Sequence, residues 1–275
     1  MESESTVNRE STVSAIAELP TIDLVGIRIH ALTEAESISH ILDELRAGRG
    51  GWVATPNLDH LRRLWRDDSF RELCAHANLL VPDGMPLLWA SRLQRTPLPG
   101  RVAGSDLISS LSSAAGKSGH TVFLLGGDPG TAEDAAQTLQ QKIPELQVAG
   151  ASCPPIGFEK DEAAMQRLAA ELRAAKPDIV FVALGSPKQE RLMEALRGEL
   201  PGAWWLGVGI SFSFLSGAVK RAPIWMQRAG LEWLHRLVQE PRRMAARYLA
   251  YGLPFALILF ANAAWRGATR SGRES

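Results

Sequence analysis

Short apolar runs alternate with longer amphipathic segments along most of this chain, and this alternation limits the possible folds more than any other feature. The apolar runs are Trp52–Ala54, Asn78–Val81, Thr121–Leu125, Gln147–Ala149, Asp178–Leu184 and Trp204–Val208. The amphipathic segments between them are Leu58–Ala77, Gly104–Ser118, Thr131–Ile143, Asp161–Ala175 and Lys188–Leu200. Strands that alternate with helices predict an α/β fold, with a mostly parallel, Rossmann-like sheet that carries helices on both faces.

Two short runs near the N-terminus, Ile22–Val25 and Ile27–His30, predict an antiparallel pair at one edge of this sheet. The residues before them are polar and contain no apolar segment of the kind that a signal peptide needs, so we expect a cytosolic protein. The chain has only two cysteines, Cys74 and Cys153, and we expect both to be buried thiols.

Charge divides the chain into two regions. The 30 Lys and Arg residues balance the 30 Asp and Glu residues, and this zero net charge argues against a globally basic nucleic-acid-binding protein. Residues 215–275 hold ten Lys or Arg and three Glu, a net charge of +7, which leaves −7 for residues 1–214. We therefore predict a polar N-terminal lead at 1–19, an α/β domain at 20–214 and a basic C-terminal appendage at 215–275.

Within this appendage, the residues from Tyr248 to Trp265 carry no charge, and arginines flank them on both sides. The run is slightly shorter than the about 20 apolar residues of a spanning helix, and it includes Gly252 and Pro254. We predict a helical segment that lies in the cytoplasmic leaflet of a membrane, with its arginines on anionic lipid. The alternative is a helix that covers a subunit interface or a groove of the core.

Polar or glycine-rich loops follow the apolar runs, and in parallel sheets such loops share one edge, where ligands bind. Two of them, Gly126–Gly130 and Gly185–Glu190, each join a strand to a helix. Exposed amides at a helix N-terminus bind phosphate, although a plain tight turn explains either loop alone. Two such loops at one edge favour a ligand that contains a diphosphate. The candidate binding residues are Gly126, Gly127, Gly185, Lys188, Gln189 and Glu190; for Glu190 the alternative is a capping residue.

Asp83 is the candidate catalytic carboxylate. It follows the run Asn78–Val81, at the end of a predicted strand where a general base is held and its pKa adjusted, although Pro-Asp-Gly is also a common turn sequence. Thr55 and Asn57 offer uncharged hydrogen-bonding groups suited to a sugar, with helix capping as the alternative for Asn57. Arg101 adds a cation on a nearby loop, where the alternative is a solvated side chain.

The sequence lacks the motifs of several common catalytic and binding sites. It contains no G-x-G-x-x-G, no Walker pattern, no G-x-S-x-G, no H-E-x-x-H and no Cys/His cluster with metal-ligand spacing. We therefore expect neither a bound metal nor an organic cofactor.

Together, the loops and the C-terminal arginines follow one pattern, and the chain resembles the WecG/TagA/CpsF glycosyltransferases, also called glycosyltransferase family 26. The segments that carry the resemblance lie in order along the chain: Thr55–Asn57, Val81–Met85, Arg101–Asp106, Phe123–Gly127, Gly185–Glu190, Lys220–Pro223, Gly230–Arg236 and Glu240–Arg243. Two positions depart from the family pattern: Pro86–Trp89 replaces glycine and small aliphatic residues, and Ser213 stands where an aspartate is common. The donor sugar is therefore left open.

The resemblance implies an inverting enzyme of surface polysaccharide or cell-wall assembly. Its donor would be a nucleotide diphosphate sugar, commonly UDP-linked, such as UDP-N-acetylmannosamine or a related hexose. Its acceptor would be a polyprenyl-diphosphate-linked sugar at the cytoplasmic face of the membrane, with which the enzyme would associate peripherally. Homo-oligomer formation is left open.

The resemblance also implies roles for single residues. Asp83 would be the general base, Arg101 a charged site residue, and Gln189 a donor contact, while Thr55 and Asn57 would line the pocket. The appendage would dock on the membrane and complete the site through Arg236, Arg242, Arg243 and Arg247. Because a nucleotide diphosphate leaves without a protonating acid, one carboxylate is enough, whereas a glycosidase needs two. Arginines and helix amides can stabilise the leaving diphosphate without a metal.

Two other function classes are alternatives. A dinucleotide-dependent oxidoreductase has similar strand-to-helix loops, but the sequence lacks its glycine pattern. A non-catalytic membrane scaffold would use the basic appendage to recruit partners, and the residues around Asp83 would then be dispensable.

Overall fold

A six-stranded sheet forms the centre of this computed structural model, which describes residues 18–271. Its strands lie in the order β4-β3-β8-β7-β5-β6, and all neighbouring pairs are parallel. The strands of the molecule are β1 Thr21–Leu24, β2 Ile27–His30, β3 Gly51–Ala54, β4 Leu79–Leu80, β5 Thr121–Gly126, β6 Gln147–Ser152, β7 Ile179–Ala183 and β8 Trp204–Gly207. The prediction of a mostly parallel sheet is confirmed.

Helices connect these strands and continue after the last one. They are α1 Glu34–Arg46, α2 Leu58–Arg66, α3 Asp68–Cys74, α4 Met85–Leu93, α5 Gly104–Ser118, α6 Thr131–Lys142, α7 Glu162–Ala175, α8 Lys188–Leu196, α9 Ser211–Leu215, α10 Ile224–Arg228, α11 Glu232–Gln239, α12 Pro241–Ala245 and α13 Leu253–Ser271. A π-helical segment, Ala246–Gly252, joins α12 to α13, and short 3₁₀ turns lie at Phe158–Lys160 and Arg197–Glu199.

Side chains from the two faces of the sheet enter two separate cores, because neighbouring residues of a strand point to opposite faces. Trp205 packs with helices α2, α3, α4, α7, α8 and α13 on one face. Trp204, the preceding residue of β8, packs with α1, α5, α6 and α9 on the other face. Helices therefore cover both faces, as predicted.

The segment Leu58–Ala77, predicted as one amphipathic stretch, forms two helices. Asp67 lies between them with extended backbone angles, φ −117° and ψ 104°. Its carboxylate accepts a hydrogen bond from the amide of Phe70 (3.2 Å), which caps the start of α3. A helix-capping side chain at this position competes with helix continuation, and it ends α2 here.

The antiparallel pair β1–β2 forms, but it is a separate two-stranded sheet, so the prediction that it extends the main sheet is wrong. At the edge strand β4, the amide of Leu80 donates to Nδ1 of His30 (2.9 Å) rather than to a strand carbonyl. Burial lowers the pKa of His30, which favours the neutral imidazole that this bond requires. A side chain thus closes the edge where a further strand was expected.

The C-terminal helix α13 packs along α4 through one face, on which Phe255, Leu259 and Ala263 are buried. Gly267 lies so close to α4 that a Cβ there would be 2.4 Å from the carbonyl oxygen of Leu93. The opposite face exposes large apolar side chains: Leu253, Leu257, Ile258 and Trp265. By length and composition, the helical segment Ala246–Ser271 is long and apolar enough to cross a membrane. One face of α13 thus fills a groove of the α/β domain at 20–214, hereafter the body, as the alternative interpretation predicts. That the exposed face lies in a membrane stays a prediction.

Candidate active site

The structure brings the predicted loops together at the carboxyl ends of adjacent strands. Backbone hydrogen bonds join them: the amide of Asp83 donates to Pro56 (3.0 Å), and that of Gly127 donates to Ala183 (2.8 Å). The first bond connects the loops after β3 and β4, and the second connects the loop after β5 to the last residue of β7. The polar residues that follow the apolar runs therefore line one continuous edge.

Asp83 is half-buried between two loops of the body. The amide of Asp83 donates to Pro56, and the carbonyl of the preceding residue, Pro82, accepts a hydrogen bond from the amide of Val102 (2.7 Å). The turn is thus fixed to the Thr55–Asn57 loop on one side and to the loop that carries Arg101 on the other. Helix α4 begins two residues later, after Gly84, which lies against the backbone of Asn57.

Burial raises the pKa of Asp83 to about 8. The nearby Arg101 and Arg221 act in the opposite direction, and the carboxylates of Glu232 and Asp106 add to the rise. A carboxyl group with a pKa near neutrality is suited to accept a proton from an attacking hydroxyl, because it then holds that proton well. The pKa of the group therefore agrees with the role of general base.

Arg101 makes two ion pairs, so the alternative of a solvated loop arginine does not hold. Its Nη2 donates to Asp106 Oδ2 (2.7 Å) and its Nη1 donates to Glu232 Oε2 (3.2 Å). Glu232 belongs to helix α11 of the appendage, so the second pair crosses from the body to the appendage. The candidate site is built from both regions.

The two glycine-containing loops place helix starts at the same edge. Gly126 and Gly127 have φ of +94° and +87°, and Gly185 has φ of +70°, a region that favours glycine. Helix α6 then begins at Thr131 and helix α8 at Lys188, and neither start is capped by a side chain of the N-cap residue. The amides of Thr131 and Gln189 donate to carbonyls of the preceding loops, and the other amides of these first turns are suited to bind phosphate oxygens.

Gln189 and Lys188 have protein partners in this structure. The buried Gln189 accepts from the amide of Gly209 (3.2 Å) and donates to Glu190 (3.1 Å), and it fills the space that Gly207 leaves open. The ammonium group of Lys188 pairs with Glu159 (3.0 Å) on the surface. The donor contact of Gln189 and the phosphate contact of Lys188 stay predictions. In the structure, Gln189 binds the loop at Gly209, and Lys188 binds the turn that contains Glu159.

Glu190 is buried and faces a small cavity that the sequence did not indicate. Its Oε1 lies 3.9 Å from Nε2 of His60, and its Oε2 has no hydrogen-bond partner among the described residues. The cavity has a volume of about 10 Å³ and is also lined by Thr55 and Cys74. Burial and the Glu190 carboxylate raise the pKa of Cys74 to about 12, so this thiol stays protonated.

The second cysteine, Cys153, is also a free thiol, but it is only half-buried, so the prediction that it is buried is wrong.

Thr55 and Asn57 lie beside Asp83, as the sequence predicts. Asn57 caps α2, because its Oδ1 accepts from the amides of Asp59 (3.0 Å) and His60 (3.2 Å). The alternative that Asn57 caps a helix therefore holds for its side-chain oxygen. A contact between Asn57 and a substrate stays a prediction. The Thr55 hydroxyl points toward the start of α5, where space is tight: a Cβ at Gly104 would be 3.2 Å from it.

The arginines predicted for the membrane or the acceptor differ in their surroundings. Arg247 pairs with Asp59 of the body (3.2 Å), and Arg236 pairs with Glu240 one turn further along the chain (3.8 Å). Arg242 is exposed on α12. Arg243 lies in the same helix, and its side chain is outside the part that the structure describes.

Sequence reasoning did not select Asp106, Arg221 or Glu232, although all three bear on Asp83. Each lies inside a segment that carries the family resemblance, and this position was the one sign in the sequence that could have identified them. Among residues 18–271, no group of three or more His, Cys, Asp or Glu side chains is placed to hold a metal ion.

Comparison with known proteins agrees with this geometry. The "Glycosyl transferase WecG/TagA/CpsF family" matches residues 22–269. The chain is 34% identical over 194 residues to an N-acetylglucosaminyldiphosphoundecaprenol N-acetyl-beta-D-mannosaminyltransferase of Bacillus subtilis (strain 168), covering 70% of this chain and 73% of the relative. A protein of the same name from Bacillus spizizenii (strain ATCC 23059 / NRRL B-14472 / W23) is 32% identical over 207 residues, covering 75% and 78%. On the extent of these matches, the chain belongs to the WecG/TagA/CpsF family of glycosyl transferases.

Proposed function

We propose that this enzyme transfers a sugar, with inversion, from a nucleotide diphosphate donor to a polyprenyl-diphosphate-linked sugar in cell-wall or surface polysaccharide assembly. The observation that carries the proposal is the carboxyl group of Asp83, with its pKa of about 8, among polar loops at the carboxyl edge of the sheet. The names of the two relatives support both a diphosphate-lipid acceptor and an N-acetylmannosamine donor. A UDP-linked N-acetylmannosamine or related hexose is accordingly the proposed donor.

In this reaction the Asp83 carboxylate takes the proton of the acceptor hydroxyl as its oxygen attacks the anomeric carbon. The bond from that carbon to the donor diphosphate breaks, and the nucleoside diphosphate leaves with its electron pair. Attack from the face opposite the leaving group inverts the anomeric centre. The amides at the starts of α6 and α8 are the groups suited to stabilise the departing charge.

The appendage supports work at a membrane surface. Leu257 and Trp265 are among the apolar side chains exposed along α13, and Arg242 is exposed on α12. Apolar side chains next to arginines bind the interface of an anionic membrane. We infer peripheral association with the cytoplasmic face, where a lipid-linked acceptor would meet the site.

The test is a transfer assay with purified full-length protein, a panel of nucleotide sugars and a short-chain polyprenyl-diphosphate N-acetylglucosamine. The expected product is the lipid with one added sugar, identified by mass, and its new linkage is opposite in configuration to that of the donor. Transfer without inversion contradicts the mechanism. Absence of transfer from every donor contradicts the function, and a cofactor-dependent absorbance change would instead support the oxidoreductase alternative.

A further inference from the structure

Four charged side chains close a ring of ion pairs between the body and the appendage. The ring consists of Arg101, Asp106, Arg221 and Glu232. Beyond the two pairs of Arg101, Nη1 of Arg221 donates to Asp106 Oδ1 (2.6 Å) and Nε of Arg221 donates to Glu232 Oε1 (3.1 Å). Each guanidinium thus binds both carboxylates, and each carboxylate uses one oxygen for each guanidinium.

This arrangement differs from ordinary surface ion pairs. All four side chains are shielded, with between 20% and 32% of their surface exposed. Isolated exposed pairs contribute little to stability, whereas several charges in one network with good geometry contribute more. Two members come from the body, on the Arg101 loop and on α5, and two from the appendage, before α10 and on α11. The ring therefore forms only when the appendage is docked.

The ring lies beside Asp83. The Arg101 loop is bonded to the Asp83 turn through the amide of Val102. All four members act electrostatically on the Asp83 carboxyl, and they are the charged groups with the largest effect on it. The two positive and two negative members balance, so the intact ring brings no net charge to the base.

We propose that Arg221 and Glu232 are positioning residues, which hold Arg101 beside Asp83 and couple the docking of the appendage to the charge environment of the base. The proposal rests on the proposed function of Asp83 as general base. It assigns to the appendage a role in the chemical step that is separate from contact with lipid. The enzyme is then fully active only when the ring is closed.

Removing single members should have opposite effects. In Glu232→Gln the ring keeps two cations and one carboxylate, and the excess positive charge favours the ionised form of Asp83. In Arg221→Gln the excess charge is negative, and it favours the protonated form. A simple loss of docking would instead expose Asp83 to water in both variants and shift its titration in the same direction.

The experiment measures kcat/KM against pH for the full chain. In the wild-type enzyme the rate should rise with pH, with a midpoint near 8, as the base loses its proton. We expect Glu232→Gln to lower this midpoint and Arg221→Gln to raise it, each by at least about half a pH unit. Shifts in the same direction, or no shift in either variant, overturn the proposal.

A matched control breaks another contact between the two regions. Arg266 of α13 pairs with Asp23 at the end of the β1 strand. Asp23→Asn weakens docking far from the ring, and it should leave the midpoint where the wild type has it. A comparable shift in Asp23→Asn would show that the midpoint reports docking alone, which contradicts the proposal.

A second measurement is independent of activity. The Asp83 carboxyl can be followed by ¹³C NMR without substrates, assigned by its loss in Asp83→Asn, and the same opposite shifts are expected. Arg221→Lys keeps the charge but cannot bind both carboxylates in the same way, so its midpoint should lie nearer the wild type than that of Arg221→Gln. If transfer fails but the opposite shifts appear, the function is wrong and the electrostatic coupling stands. If transfer depends on Asp83 and the shifts are absent, only the coupling fails.

Discussion

The two halves of the candidate site are built in different ways. The donor half, made by the loops Gly126–Gly130 and Gly185–Glu190, consists of backbone: positive φ angles and first-turn amides. The base half, made by Asp83 and the four-charge ring, consists of side chains from distant parts of the chain. The donor half therefore depends on local conformation, whereas the base half depends on the docking of the appendage.

The largest expected effect is on the base half. Asp83→Asn removes the proton acceptor without changing the shape of the side chain, so kcat should fall by roughly 10²- to 10⁴-fold. Donor binding should be unchanged, because the backbone amides of the other half remain. Calorimetric titration with UDP together with the transfer assay measures both quantities, and a fully active variant would show that Asp83 is not the base.

The same variant should be more stable than the wild type at alkaline pH. The folded state holds the Asp83 proton up to a pH of about 8, whereas the unfolded chain releases it near 3.8. The stability contributed by this carboxyl is therefore complete below pH 4 and is lost as the pH rises to about 8. Asparagine does not titrate, so the Tm advantage of the variant should grow over this range by at least about 2 °C, measured by calorimetry.

The next largest effect is on stability, in the donor half, where two glycine substitutions separate the cost of a steric contact from the cost of backbone strain. In Gly127→Ala the new Cβ would lie 2.4 Å from Thr131 Oγ1 and 3.1 Å from Phe212, and φ is +87°. We expect a loss of about 2–3 kcal/mol in the free energy of unfolding and weaker donor binding, measured by urea unfolding and UDP titration.

Gly130→Ala is the matched control for this variant. Gly130 also has positive φ (+82°), but a Cβ there meets nothing within 4 Å. Its cost should therefore be backbone strain alone, about 1 kcal/mol. Equal losses in the two variants would show that the contact between Gly127 and the start of α6 has no energetic weight.

The smallest effect distinguishes two arginines of the appendage. Burial opposes the ionisation of Asp59, but Arg247 together with Arg62 and Arg63 outweighs it and lowers the pKa of Asp59. Arg247→Gln should thus cost about 1–2 kcal/mol at pH 7, and the cost should shrink as the pH falls and Asp59 is protonated in both proteins. Urea unfolding at pH 7 and at pH 3, below the 3.8 at which Asp59 titrates in the unfolded chain, measures this.

Arg242→Gln is its counterpart, because Arg242 is exposed on α12. It should change the unfolding free energy by less than about 0.5 kcal/mol and weaken binding to anionic vesicles by about 1 kcal/mol. If Arg247→Gln instead affects only vesicle binding, the pair with Asp59 does not hold the appendage on the body.

Much of the donor half was predictable because its signals are local. A glycine pair after an apolar run, followed by an amphipathic segment, indicates a strand, a turn with positive φ and a helix start, and β5 to α6 follows that order. The site residues of the base half were only partly predictable. Asp83 and Arg101 were selected as candidates, whereas Arg221 and Glu232 are separated from Arg101 by more than a hundred residues and show no partner in the sequence. The position of the Gln189 side chain was also decided by packing, because this residue of helix α8 fills the space beside Gly207 of strand β8.

By itself, the sequence determined the alternation of strands and helices, the edge of the sheet at which the polar loops meet, and the division of charge between body and appendage. These properties follow from local periodicity, turn residues and composition, which need no knowledge of distant contacts. Only the tertiary structure decided that β1 and β2 stand apart from the main sheet, that α13 packs one face on α4, and that the appendage closes a ring of charges beside Asp83. Ion pairs and buried side chains depend on which helices, strands and loops contact one another in the folded protein. The spacing of charges along a chain does not specify these contacts.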